Sequence, residues 1–234
     1  MTGKKWIVIR IDGKIAGVST DYRILARISE HLATQAVRKP GQTTLYGEIS
    51  AVTTDIDQVW KLRKEVKWDD LLLFGTDFQK KVWRKLWDLT HVREGIPGQA
   101  GDDKEAGEDN TRRAGDDTRK DGDDGRKGQE HAARLVCYSD FADLCQNRAG
   151  VRAVAHAIGL NPVSVIIPCH LIIPKEGIDK MREIHNKAQA TIFKGDDLCM
   201  NSILNDSAID FGEYALGKTL KRELIIREMT ENDL

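Results

Sequence analysis

The 234-residue chain is poor in several features that would narrow its chemistry at once. It has four cysteines, Cys137, Cys145, Cys169 and Cys199, with no C-x-x-C pair and no histidine at zinc-finger spacing. No metal site is therefore expected. So few cysteines, without signal-peptide features, point to a reducing intracellular setting, the nucleus in a eukaryote or the cytoplasm and nucleoid in a prokaryote. No run approaches the roughly 20 apolar residues that a membrane helix needs, so no membrane partner is expected. Nor does one sign of charge dominate, because 36 Lys and Arg stand against 37 Asp and Glu. That balance argues against a strongly basic nucleic-acid binder, but it conceals an uneven distribution. Residues 98–130 hold eleven acidic and seven basic side chains, which leaves the remainder mildly basic and compatible with weak phosphate contacts.

The same stretch contains no aliphatic residue larger than alanine, has seven glycines and repeats crudely as GDDKE, GDDTRK and GDDGRK. It cannot repay the entropy of folding and is expected to be a disordered, charged insertion. Closure entropy grows slowly with loop length, so a folded domain can carry it.

Residues 1–74 read as a small α/β domain. WIVIRIDGKIAGVS suggests two strands joined at Asp12-Gly13. DYRILARISEHLAT follows as a helix capped by Asp21, with Ile24, Leu25, Ile28 and Leu32 in register. TTLYGEISAVTT, residues 43–54, reads as a strand, and the charged segment 55–74 has no clear pattern. Residues 75–234 form the second expected domain. It opens at GTDFQKKVWRKLWDL, where Thr76 or Asp77 can cap a helix presenting Phe78, Val82, Leu86 and Leu89. SDFADLCQNR, capped by its serine, and VRAVAHAIGL are two short helices around a glycine turn, a helix-turn-helix-like pattern. VSVII reads as a strand, 178–193 as a helix, and GEYALGKTLKRELIIRE as glycine turns before a final amphipathic helix.

The chemistry concentrates in NPVSVIIPCHLII, residues 161–173, where Cys169 and His170 follow Pro168. A thiolate is a soft nucleophile, and a cysteine becomes reactive when a neighbour lowers its pKa or accepts its proton. His170 can serve, although adjacent residues in a strand face opposite sides. The proline ends the strand and turns the thiol toward a pocket.

Taken in order, GTDFQKKVW, CYSDFADL, GVRAVAHAIGLNPVSVIIPCH and GEYALG…KRELIIRE resemble the O6-alkylguanine-DNA alkyltransferases, over most of 75–228. The resemblance implies an α/β N-terminal domain followed by a mainly α C-terminal domain with a helix-turn-helix of winged-helix type. It implies a monomer that repairs double-stranded DNA by moving an alkyl group irreversibly from O6 of guanine to its own cysteine, once per molecule and without a cofactor. Carried over residue by residue, Cys169 is the acceptor, His170 acts on it through a water, Glu228 orients the imidazole and Asn161 braces the turn. The target base must leave the helix to be reached. Arg152 is implied to take its place in the stack from the minor groove, Tyr138 to crowd the adjacent phosphate, and Ala155 to lie against DNA. Tyr214, Ile158 and Ile172 are assigned to the guanine pocket. Three departures are visible: Leu171 stands where the family has arginine, Ala155 where it has glycine, and the segment before GEYALG is longer. The competing readings are a non-enzymatic sensor of alkylated DNA, which needs no reactive cysteine, and a cysteine hydrolase, for which an adjacent histidine is poor geometry.

Overall fold

The computed structural model describes residues 3–38, 48–91, 135–191 and 204–231. The charged insertion 98–130 lies outside the described residues, as do Cys199, Ile192 and residues 43–47 of the expected strand.

Strands β1 (Trp6–Ile11) and β2 (Lys14–Ser19) pair antiparallel, and β3 (Ile49–Thr54) adds to the far side of β1, giving the order β2-β1-β3. Asp12 and Gly13 both adopt positive φ, 51° and 77°, as a two-residue hairpin loop of the twisted type requires. The run WIVIRI is almost wholly buried because both faces of β1 are covered. Ile7, Ile9 and Ile11 pack with Ile24 and Ile28 of helix α1 (Arg23–Arg38). Trp6 and Val8 point the other way, into a larger core shared with Val82, Leu86, Phe141 and Val154.

The charged segment 55–74, which shows no clear pattern in the sequence, is helical over Ile56–Glu65. Helix α2 (Ile56–Glu65) starts where the Asp55 carboxylate accepts the Gln58 N–H at 2.9 Å, and it buries Val59, Trp60 and Arg63. A turn at Trp68–Asp70 then leads to Leu72, whose N–H donates to Ile15 O at 2.8 Å. Helix α3 (Asp77–Asp88) is capped by Thr76, whose hydroxyl accepts from Gln79 N–H while the Gln79 side chain accepts from Thr76 N–H. Its buried face is Val82, Trp83, Leu86 and Trp87, with Phe78 left 37% exposed, so the apolar stripe is rotated toward the tryptophans. Trp83 Nε1 donates to Ala157 O at 2.8 Å and fixes α3 against helix α5 (Val151–Gly159).

Helix α4 (Tyr138–Leu144) follows the two-residue strand β4 (Val136–Cys137). Cys137, not Ser139, occupies the N-cap, and the Ser139 hydroxyl sits 3.0 Å from the Cys137 thiol. The expected strand VSVII is not formed. Val163 and Ser164 make only isolated bridges, and Ile167 N–H donates to Val163 O across a turn in which Val165 takes φ 74°. A β-branched residue there is a strained outlier, held by complete burial of Val163, Val165, Ile166 and Ile167. The chain continues through a 3-10 turn at Cys169–Leu171 into β5 (Ile172–Ile173), which pairs parallel with β4. Helices α6 (Lys175–Thr191) and α7 (Lys218–Glu231) close the structure over Ile173, Ile209, Phe211 and Ile225. No described helix is long and apolar enough to cross a membrane.

Candidate active site

The turn that carries Cys169 is built from Asn161. Its Oδ1 accepts Val163 N–H at 3.0 Å, while its Nδ2 donates to Ile167 O at 2.9 Å and to Cys169 Sγ at 3.2 Å. One buried amide thus holds both arms of the loop and touches the sulfur. Tyr214 Oη lies 3.7 Å from the same sulfur. Tyr214 follows Gly212, whose φ of 76° and close approach to Pro174 (a Cβ would lie 2.7 Å from its Cδ) exclude a side chain there.

Cys169 lines a cavity of about 350 Å³, together with Tyr138, Ala155, Ile158, Asn161 and Tyr214. The structure therefore brings together six of the residues singled out from the sequence. Arg152 lies exposed on α5, and among the described residues it makes no ion pair. Ile172 is not brought to this cavity. Its side chain is fully buried in the core beneath β5, and only its carbonyl oxygen serves the site, by accepting from Lys221.

His170 and Glu228 meet behind the thiol. His170 Nε2 lies 3.1 Å from Glu228 Oε2, and both side chains are buried. No hydrogen bond joins the thiol to the imidazole directly, and His170 Nδ1 has no partner among the described residues. With Nε2–H donated to the carboxylate, a neutral imidazole leaves Nδ1 as an acceptor.

Two charged residues in this site carried no distinguishing signal in the sequence. Arg63 of α2 forms a buried bidentate pair with Glu228, at 2.6 and 2.9 Å. Lys221 of α7 is 1% exposed, lines the cavity and donates to Ile172 O at 2.8 Å. Both stand in segments dense with Lys and Arg, where one charge looks like the next. Their partners are distant in the chain, 165 residues away for Arg63 and Glu228.

The electrostatics follow from burial. Cys169 is pushed above its ordinary value by desolvation, and the Asn161 amide, the Tyr214 hydroxyl and Lys221 pull it back. Burial of the sulfur thus outweighs the groups that favour the thiolate, opposite in direction to the lowering expected from His170. His170 is lowered by burial, with Glu228 opposing and Arg63 and Lys221 adding to the effect. Burial raises Glu228, but His170 and Arg63 outweigh it and hold the carboxyl at about 2. Burial lowers Lys221 to about 8. Among the described residues no group of three or more His, Cys, Asp or Glu side chains is arranged to hold a metal ion.

Residues 131–193 match the family model described as the DNA-binding domain of 6-O-methylguanine DNA methyltransferase, a segment that holds Tyr138, Arg152, Asn161, Cys169 and His170. Over those residues, about a quarter of the chain, it is similar to the O6-alkylguanine-DNA alkyltransferases. A probable methylated-DNA–protein-cysteine methyltransferase of Acanthamoeba polyphaga mimivirus is 30% identical over 106 residues, covering 45% of this chain and 44% of the relative. The inducible methylated-DNA–protein-cysteine methyltransferase of Bacillus subtilis strain 168 is 52% identical over 40 residues, 17% of this chain and 22% of the relative. The chain thus spans less than half the length of these relatives. A solved O6-methylguanine-DNA methyltransferase from Pyrococcus kodakaraensis strain KOD1 aligns with 96% of this chain and 91% of its own, at 18% identity and a TM-score of 0.44.

Proposed function

We propose that this protein repairs DNA by accepting an alkyl group from O6 of guanine onto Cys169. The single observation that carries the reading is the thiol at the wall of a base-sized cavity, with an acceptor nitrogen, a carboxylate and a bracing amide ordered behind it. Cys169 Sγ attacks the alkyl carbon, an S–C bond forms and the C–O6 bond breaks, with its electron pair leaving on guanine. The thiol proton passes through a bridging water to His170 Nδ1, and the resulting imidazolium is stabilised by Glu228. A thioether has no facile leaving group, so each molecule reacts once. Burial matters to this chemistry: a thiol that stays protonated until the base is seated is protected from other electrophiles.

On the DNA side we read residues 1–74 and 75–234 as two domains packed on one shared core and α4, its turn and α5 as a helix-turn-helix of winged-helix type. A duplex hides O6, so the base is flipped into the cavity. Arg152 fills the gap, Ala155 meets the backbone at the cavity rim, and Tyr138 crowds the neighbouring phosphate. What supports this is placement: Arg152 projects from the same helix whose Ala155 and Ile158 line the cavity.

The experiment is to incubate the protein with a duplex oligonucleotide carrying O6-methylguanine and follow both repair and binding. Repair that stops at one base per protein molecule is the expected result, whereas tight binding without repair would identify the sensor instead. Arg152→Ala should slow repair of the duplex far more than reaction with free alkylated guanine. Equal losses on both would remove Arg152 from the flipping step.

A further inference from the structure

Arg63 belongs to neither the DNA-facing surface nor the motif around the cysteine, yet it is buried against the base of the site. Its two terminal nitrogens take both oxygens of Glu228, Nη1 on Oε2 at 2.6 Å and Nη2 on Oε1 at 2.9 Å. His170 Nε2 shares Oε2 at 3.1 Å. Neither the guanidinium nor the carboxylate is more than 7% exposed, and the imidazole is fully buried. Helix α2 also supplies Trp60, which meets His170 edge-on at 6.2 Å and carries Arg63 at 4.8 Å from its centroid. One face of α2 therefore caps the whole back of the dyad.

The charge count is what this arrangement decides. Glu228 already faces a full positive charge through two hydrogen bonds. A proton on His170 would then be a second cation in a sealed site, with Lys221 of α7 opposing it as well. The other groups facing this cluster are Cys169 itself and His91, which lies close enough to be influenced by Arg63 and Glu228. Arg227 of α7 stacks 5.3 Å from Trp60 and is paired with Asp57 on α2. If position 63 were neutral, the buried carboxylate would draw its compensating charge from His170. That proton would occupy Nδ1, the atom needed to receive the thiol proton.

We propose that Arg63 is a positioning residue of the alkyl-transfer site: by satisfying both oxygens of Glu228 it keeps the His170 imidazole neutral, with Nε2–H on the carboxylate and Nδ1 bare. It acts through Glu228 and touches no reacting atom. The inference rests on the alkyl-transfer reading for its purpose, but its geometry does not depend on that reading.

The test is nitrogen NMR of the His170 imidazole across pH, in the native protein and in Arg63→Met, Arg63→Lys and the double variant Arg63→Met/Glu228→Gln. The native ring should be a neutral Nε2–H tautomer at neutral pH. In Arg63→Met its titration should move up by about 1–3 pH units, the usual effect of unmasking an adjacent opposite charge. Arg63→Lys should restore most of the native profile, and the double variant should return the ring to its neutral form. An imidazolium or an Nδ1–H tautomer in the native protein at neutral pH overturns the proposal, and this arm stands even if Arg63→Met does not fold. Arg63→Met titrating like the native protein overturns it equally. None of these measurements uses alkylated DNA, so failure of methyl transfer and failure of this proposal are separate results.

Discussion

Replacing Glu228 with glutamine should destabilise the protein by an amount that depends on pH in a specified way. The carboxyl is held at about 2, against 4.5 for an unperturbed glutamate. A folded-state value below the unfolded one means that the unfolded chain binds more protons between the two. The contribution to stability is therefore complete above 4.5 and is lost as pH falls toward 2. At about 1.4 kcal/mol per pH unit, that contribution is about 3.4 kcal/mol at pH 7 and about 1.4 kcal/mol at pH 3. The figure agrees with the cost of breaking a buried ion pair, roughly 3–5 kcal/mol, since Glu228→Gln leaves the charged Arg63 guanidinium without its counter-charge. Guanidinium denaturation of both proteins at pH 7 and pH 3 checks it through the difference in midpoints. A gap that stays the same at both pH values would mean that the loss comes from packing and would refute the electrostatic account. A gap below about 1 kcal/mol at pH 7 would refute it too.

Asn161→Ala removes the donor to Cys169 and strands Val163 N–H and Ile167 O, at about 1–3 kcal/mol for each buried group left unpaired. It should lower the melting temperature and move iodoacetamide labelling of Cys169 to higher pH; unchanged labelling would deny the amide a part in activating the sulfur. Lys221→Met should also move that labelling upward, because the ammonium favours the thiolate. Lys221 titrates at about 8 in the folded protein and at 10.5 when unperturbed, so the native protein should gain up to about 3 kcal/mol over the unfolded chain across that window. Denaturation midpoints at the two ends of the window should show this gain in the native protein and not in Lys221→Met, and an equal gain in both would contradict it.

The parts of the site legible in the sequence are those whose partners are close in the chain. Asn161, Cys169 and His170 lie within ten positions, and the amide braces the turn directly, so a local motif carries the geometry. The hairpin was readable for the same reason, since Asp-Gly at a positive-φ turn is a local signal. VSVII misleads because its residues favour strands, while burial and the bonds from Asn161 force Val165 into a turn. Helix α2 and Arg63 were not legible: a charged segment shows no apolar stripe when one of its three buried residues is an arginine. Helix α7 has the same feature, for Lys221 and Glu228 sit on its buried face beside Leu224 and Ile225. The expected apolar face is thus partly ionic, and the meaning of those charges appears only when α2 is laid against them.

The sharpest measurement is the intact mass of the protein after incubation with an excess of O6-methylguanine duplex, followed by peptide mapping. The proposed alkyl transfer predicts a gain of one methyl group, located on the peptide that carries Cys169 and missing in Cys169→Ala. A native mass left unchanged, or a methyl group found on Cys137 or Cys145, would contradict the assignment of Cys169 as the acceptor.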